Sequence, residues 1–230
     1  MNDPNLKLLE AAVRVLEPLL NELVFSGGCT TGLLISDAGA SGIRVTKDVD
    51  TIIEIASYGE YATLSERLRA LGLHEDHNED APTCRWRDQD LIIDVMPTDE
   101  RILGFSNQWY APAINAAQDL EIAGLRTRVI TSPYFLATKL AAFRGRGHDD
   151  YSGSHDLEDV ITVIDGRPEI VDEVRNAAPD VRGYIASAMK RLLDTRSFVD
   201  ALPGFLLPDG ASQARYPVVR ERLNALAGSI

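Results

Sequence analysis

Residues 48–55 read Asp-Val-Asp-Thr-Ile-Ile-Glu-Ile (DVDTIIEI), the densest run of β-branched residues in the chain. Such a run predicts a strand. Alternate residues of a strand face one side, so Asp48 and Asp50 point together. Two carboxylates at that spacing, with no cation between them, repel each other. A divalent cation relieves the repulsion, and Mg²⁺ favours one or two carboxylates together with substrate phosphates. Working outward, Leu23-Val24-Phe25-Ser26 predicts a short buried strand, Gly27-Gly28 breaks it, and residues 29–35 follow as a short helix. Downstream, Thr83–Arg87 and Leu91–Met96 predict two strands around a polar turn at Asp88-Gln89. The second of these holds Asp94 inside an apolar run, where a lone buried carboxylate costs several kcal/mol without compensation. Should that strand lie beside residues 48–55, three carboxylates meet. Such a site suits in-line displacement at phosphorus. The plainer alternatives stand beside this reading. An Asp-x-Asp pair also occurs at solvated strand ends, and Asp94 has Arg85 and Arg87 as candidate partners on the neighbouring strand.

The glycine turn is the second signal. Glycines between a buried strand and a short helix let backbone N–H groups approach phosphate oxygens, although Gly-Gly is also an ordinary turn. Thr30 and Thr31 add hydroxyls that contact a ligand or simply cap the helix. Elsewhere, residues 5–20 predict an amphipathic helix, 36–42 a loop, 59–71 a helix ended by Gly72, 74–82 a solvated loop, and 125–130 a short strand. Residues 98–120 are mixed, with Trp109 and Tyr110 as packing anchors. Ser132-Pro133 starts a helix running to about Arg144. A basic Gly-rich loop follows at 144–148, then a helix over 155–165, then helices with breaks near Pro203 and Pro208. The expected organisation is an α+β fold. A small mixed β-sheet core with flanking helices fills residues 1–130, and a mainly helical half fills 131–230.

Composition bounds the rest. The chain has 230 residues, 45% apolar and 25% charged, which excludes a disordered tail, a rod or a collagen-like repeat. No apolar run reaches the ~18 residues of a membrane span, and the first twenty residues, carrying Asp3, Glu10 and Glu17, do not read as a secretory signal. Two cysteines form no disulfide framework, so a cytoplasmic location is expected. A net charge of −12 argues against a broad nucleic-acid face, leaving room for a small basic patch and for a basic protein partner.

Five segments together carry a family resemblance: VFSGGCTTGLL (24–34), IRVTKDVDTIIEI (43–55), LIIDVMP (91–97), FLATKLAAFRGRG (135–147) and SHDLEDVITVID (154–165). They resemble the AbiEii/AbiGii toxin-like nucleotidyltransferases, within the nucleotidyltransferase superfamily typified by DNA polymerase beta. The likeness covers about residues 20–170. One departure is the twenty positions from Gly28 to Asp48, attributed to an insertion at 36–42. The resemblance implies a metal-dependent nucleotidyltransferase, the toxin of a toxin–antitoxin or abortive-infection system, that moves a nucleoside monophosphate from an NTP to an acceptor hydroxyl. The acceptor would be a tRNA 3′ end, another RNA or a protein, and an antitoxin would be a protein partner. It implies Mg²⁺ or Mn²⁺ on Asp48, Asp50 and Asp94. It implies nucleotide binding by Ser26, Gly27, Gly28, Thr30, Arg44, Thr46, Lys47, Lys139 and Arg144, and catalytic roles for Lys139 and Asp156 beside the three acids. Asp159, three residues after Asp156, shares its helix face.

The residues themselves keep other readings open. Lys139 lies beside Leu136, Leu140 and Phe143, where its stem can snorkel along the core edge as readily as its ammonium can meet phosphate. Asp156 in a first helical turn also favours the helix dipole. Lys139, Arg144 and Arg146 form the most concentrated basic patch. His148 and His155 flank it and could hydrogen-bond substrate. Two alternative functions share the core: transfer to a small cationic acceptor of the aminoglycoside kind, and a non-catalytic nucleotide-binding regulator.

Overall fold

The computed structural model describes residues 3–40, 42–147 and 149–229. The chain divides into two compact units, residues 4–30 with 45–131, and residues 1–3 with 31–44 and 132–230. The fold is mixed α/β.

The first unit holds a seven-stranded mixed sheet. Its strands are β1 (Leu23–Ser26), β2 (Val49–Ile53), β3 (His74–Glu75), β4 (Arg85–Asp88), β5 (Leu91–Pro97), β6 (Gln118–Ile122) and β7 (Leu125–Val129), in the spatial order β3-β4-β5-β2-β1-β7-β6. β2 runs parallel to β5 and β1 parallel to β7; the remaining neighbours are antiparallel. The helices of this unit are α1 (Leu6–Val15), α2 (Tyr58–Ala70), α3 (Glu100–Leu103) and α4 (Tyr110–Asn115). α1 is shorter than the predicted 5–20, because Pro18 cannot supply the N–H that the helix needs and Glu17–Leu19 tightens into a 3₁₀ turn.

α2 shows how local sequence sets its boundaries. The Ser57 hydroxyl accepts from the Glu60 N–H, and Glu60 accepts from the Ala56 N–H, so two orphan donors at the helix start are satisfied. At the other end Gly72 adopts φ +87°, and the Leu73 and Gly72 N–H groups donate back to Leu68 and Arg69. This is the six-to-one, five-to-two closure that favours glycine.

Two strands escaped the sequence reading. β3 has only two residues, inside the predicted loop 74–82. β6 alternates partly and fully exposed positions up to buried Ile122, with Asp119 and Glu121 facing solvent, as expected of an edge strand. It forms a hairpin with β7 through Ala123 and Gly124, both with positive φ.

One sheet face is core. Trp86, Ile93 and Val49 lie in register across β4, β5 and β2, and Val95, Thr51 and Phe25 across β5, β2 and β1. All six are fully buried. At ~25 cal/mol per Å² of apolar surface, each large side chain there contributes about 1.5–3 kcal/mol.

The second unit is helical: α5 (Ser132–Arg146), α6 (His155–Gly166), α7 (Ile170–Asn176), α8 (Pro179–Asp194), α9 (Arg196–Ala201), α10 (Gly210–Gln213) and α11 (Tyr216–Ala227). α5 continues through Gly145 to Arg146, so the predicted basic loop at 144–148 is largely a last helical turn, closed by the Gly147 N–H on the Phe143 carbonyl at 2.7 Å. His148 lies outside the described residues, as does Ser41 of the 36–42 loop.

Residues 31–44 cluster with these helices. The N–H groups of Ser36 and Asp37 both donate to the Gly166 carbonyl at the end of α6. Gly166 packs so closely that a Cβ there would press on Ile35 and Ala40. Arg215 ties Asp37 to the fully buried Asp165 at 2.7 and 2.6 Å. Within the long spacing between Gly28 and Asp48, Ser36 and Asp37 are thus tied to the end of α6 and to Arg215. Among the described residues no helix is long and apolar enough to cross a membrane.

Candidate functional site

The strand register assembles the site. In parallel β2 and β5, Asp50 stands opposite Asp94; in antiparallel β1 and β2, Ser26 stands opposite Asp50; in antiparallel β4 and β5, Arg85 stands opposite Asp94. Directly opposed residues share a face, so Ser26, Asp50, Asp94 and Arg85 form one row across four strands. Asp48 immediately precedes β2. Asp50 and Asp94 stand side by side, on the face opposite the Trp86 and Phe25 core.

Arg85 is the organising side chain. Its Nε donates to Asp94 Oδ1 at 2.8 Å, and its Nη2 donates to both Asp94 Oδ2 at 2.7 Å and Asp48 Oδ2 at 2.8 Å. The fork on Asp94 is the bidentate geometry in which guanidinium and carboxylate match. The two carboxylates hold the Arg85 guanidinium well above its ordinary pKa, chiefly through the bond to Asp94. Sequence reasoning considered Arg85 as a partner of Asp94 and missed its bridge to Asp48. The signal lay in the hairpin. The turn occupies Gln89-Asp90, one residue later than predicted, with Gln89 at φ +47°. That single-residue shift places Arg85 opposite Asp94 instead of Ile92.

Asp48 is held on its other side by Thr46, whose hydroxyl donates to Oδ1 at 2.7 Å. The Thr46 N–H in turn donates to the amide oxygen of buried Asn5 at 2.9 Å. Asn5, just before α1, is a support the sequence reading did not include. Lys47 beside them is exposed.

Gly27 follows Ser26 at φ +71°, and a Cβ there would overlap Asp50 Oδ2. Both facts demand glycine, one by backbone conformation and one by space. The Gly27 carbonyl accepts from the Thr30 N–H at 3.1 Å and its hydroxyl at 2.9 Å, while Cys29 Sγ donates to the Ser26 carbonyl. The expected short helix is a 3₁₀ segment, Gly28–Leu34. Beneath the row, burial, with the charges of Asp94 and Asp50 adding to it, pushes the Cys84 thiol up to about 12, so it is a packed thiol and not a nucleophile.

The remaining predicted residues form a separate cluster in the helical unit. Lys139 Nζ on α5 lies 2.7 Å from Asp159 Oδ2 and 3.2 Å from Asp156 Oδ1 on α6. Arg44 reaches Asp159 at 3.1 Å and Glu158 at 3.7 Å, and Arg146 reaches Asp156 at 3.2 Å. Burial raises the Asp156 carboxyl, but Lys139 and Arg146 outweigh it and hold it below its ordinary pKa. The Ser154 hydroxyl caps α6 by accepting from the Leu157 N–H. The basic patch is thus mostly spent on ion pairs. Arg144 is exposed and makes no ion pair among the described residues, and His155 faces Glu158 at 3.3 Å.

For a metal, the donors at the sheet site are of the right kind, since carboxylate oxygens suit Mg²⁺ and Mn²⁺. Among the described residues no group of three or more His, Cys, Asp or Glu is disposed to hold an ion. The Arg85 guanidinium stands between Asp48 and Asp94 and takes the oxygens an ion would use.

Comparison with solved structures gives the class of fold. A nucleotidyltransferase-like antigenic protein from Paracoccidioides brasiliensis aligns over 87% of this chain and 94% of its own, with TM-score 0.52 at 18% identity. A provisionally assigned nucleotidyltransferase from H. pylori aligns over 99% and 96%, with TM-score 0.52 at 12% identity. The chain therefore has a nucleotidyltransferase-like fold. No protein-family model matches it, and no curated protein sequence does.

Proposed function

We propose that the protein is a metal-dependent nucleotidyltransferase whose centre is Asp48, Asp50 and Asp94 beside the Gly27-Gly28 turn. The observation that carries this reading is the strand register, which brings acids 44 positions apart, Asp50 and Asp94, side by side next to a glycine that nothing larger can replace. The fold likeness supports it.

In this reading the Gly27-Gly28 turn, which leads into the 3₁₀ segment Gly28–Leu34, is the phosphate-binding turn. Ser26 and Thr30 hold the shape of that turn. Asp48 and Asp50 hold Mg²⁺ or Mn²⁺, with Thr46 and Asn5 fixing Asp48. When bound, the ion draws charge from the phosphates and lowers the pKa of the attacking hydroxyl. The acceptor oxygen bonds the α-phosphorus as the α–β bridging oxygen leaves with pyrophosphate. Asp94 accepts the hydroxyl proton. Lys47 is exposed beside the acids as a further phosphate contact. The resemblance implies nucleotide contacts for Arg44, Lys139 and Arg144 and catalytic roles for Lys139 and Asp156; in the helical unit Arg44, Lys139 and Asp156 are engaged in ion pairs.

The family resemblance implies a tRNA 3′ end, another RNA or a protein as acceptor, and a toxin role neutralised by an antitoxin. The net charge of −12 favours instead a small cationic acceptor, and labelled NTP offered total tRNA and aminoglycosides in parallel separates the two.

Asp50→Ala is the test. Transfer from labelled NTP should fall about 1,000-fold, because a metal's contribution of several kcal/mol is lost at roughly 1.4 kcal/mol per factor of ten. The thermal melt should stay near wild type. Full transfer activity in a folded variant would refute the site.

A further inference from the structure

A cleft of about 670 Å³ opens in the sheet-bearing unit, at the end of β2 away from Asp48. Glu54, in its lining, is four residues beyond Asp50, or about 13 Å along an extended strand. The cleft is therefore separate from the acidic row. Its volume lies within the ordinary range of ligand sites. Ile53, Ile55, Leu64 and Ile114 line it and are themselves buried, so they form its floor. Glu22, Glu54, Glu60, Arg67 and Arg128 supply its charged groups.

The cationic donors of the cleft are spent. The Arg67 guanidinium forks onto both oxygens of Glu22, at 2.8 and 2.7 Å. Arg128 donates to the Ile114 carbonyl at 2.7 Å and to the Asn21 carbonyl at 3.3 Å. The carboxylate acceptors are not spent. Glu54 is exposed and makes no hydrogen bond or ion pair among the described residues, and Glu60 engages one oxygen, Oε2, with the Ala56 N–H. Three carboxylates against two guanidinium groups leave a formal charge of −1 in the lining. What complements this cleft is a group that brings N–H donors and positive charge.

An aromatic side chain stands at its lip. Tyr58, between the lining residues Ser57 and Gly59, is 68% exposed, yet its hydroxyl donates to the Arg101 carbonyl at 2.6 Å. A tyrosine ring that is exposed and already pinned offers a face to a cation and an anchor that costs little entropy to order. We propose that this cleft docks a basic segment of a partner protein. Its lysine or arginine heads meet Glu54 and Glu60, and their aliphatic stems lie on the floor and against Tyr58. Glu54, Glu60 and Tyr58 are all exposed, so the site is open along its rim, which suits a peptide lying across it. A small molecule is usually enclosed by its site. The net charge of −12 draws a basic segment in from a distance.

The experiment is isothermal titration calorimetry on the full chain at physiological salt. The probe is a peptide of Arg-Ala-Leu repeats, and spermine is titrated in parallel. Two doubly substituted chains carry the same change of charge: Glu54→Gln with Glu60→Gln in the cleft, and Glu79→Gln with Asp80→Asn at exposed positions of the 74–82 loop. Glu60→Gln keeps an oxygen for the Ala56 N–H, so the start of α2 is preserved. The cleft pair should weaken peptide binding at least about tenfold and the loop pair less than about twofold. Tyr58→Ala should weaken it by more than Tyr58→Phe. A cleft pair that weakens binding no more than the loop pair shows attraction to net charge alone and overturns the proposal, as does a wild type that does not bind the peptide. Spermine binding more tightly than the peptide, and lost in the cleft pair, overturns it in favour of a small organic cation. Should the cleft pair fail to fold, Tyr58→Ala decides, and unchanged peptide binding there overturns the proposal.

Discussion

The two acidic clusters, one in each unit, look alike in sequence and differ in how their cations are shared. In the helical unit, Asp156, Asp159 and Glu158 face Lys139, Arg44 and Arg146, so three acids meet three bases. In the sheet, Asp48 and Asp94 share Arg85, and Asp50 stands beside Asp94 in the register. Each cluster has a buried centre, Asp159 and Asp156 in one and Asp94 in the other. The first set of ion pairs joins α5 to α6; in the second, one guanidinium bridges two carboxylates of the sheet. The same residue types thus serve as a clamp in one place and as a candidate binding centre in the other.

Removing one partner from each cluster sharpens this contrast. Lys139→Met should give the largest stability loss, about 1.5–3 kcal/mol, because it removes the cation shared by two buried carboxylates and leaves them Arg44 and Arg146 alone. A denaturant titration that finds this variant as stable as wild type would break the clamp reading. Asp50→Ala, which relieves repulsion, should by contrast leave the melt almost unmoved.

Gly27→Ala comes next. The new methyl meets Asp50 and the backbone sits at positive φ, so a cost on the order of 1–3 kcal/mol is expected, together with loss of metal binding. Gly124→Ala is the control: it also has positive φ, but a Cβ there meets nothing within 4 Å, so only the stability should change.

The smallest effect is in pH. The folded Asp156 carboxyl lies below its ordinary value of 3.8, so its contribution to stability is fully present above that value. The contribution disappears as pH falls through the lower folded pKa. Thermal melts should therefore show Asp156→Asn less stable than wild type at pH 7, with the gap narrowing below pH ~4. A gap that is constant with pH would mean the residue acts through packing and not through charge.

Much of this was legible before any coordinates. The run at 48–55, the apolar strand around Asp94 and the glycine pair fixed three central strands and their shared face, because period-two alternation and an out-of-place carboxylate are strong local signals. What stayed hidden was register. Whether the hairpin turns at 88–89 or at 89–90 is a matter of one residue, yet it decides that Arg85 faces Asp94. The edge strand β6 was missed because Asp119 and Glu121 carry no core-facing pattern. The partners of Lys139 and Arg146 were out of reach because the ion pairs join α5 to α6 across a turn that breaks helical periodicity. The order of the 31–44 segment rests on Arg215, far along the chain.

The most direct test of the central claim is a crystal of the full chain grown with Mn²⁺ and a non-hydrolysable NTP, read by anomalous scattering. The account predicts a manganese peak held by Asp48 and Asp50, with the nucleotide's phosphates against Gly27 and Gly28. A nucleotide bound elsewhere, or a peak away from those carboxylates while Arg85 keeps its grip on Asp94, would contradict it.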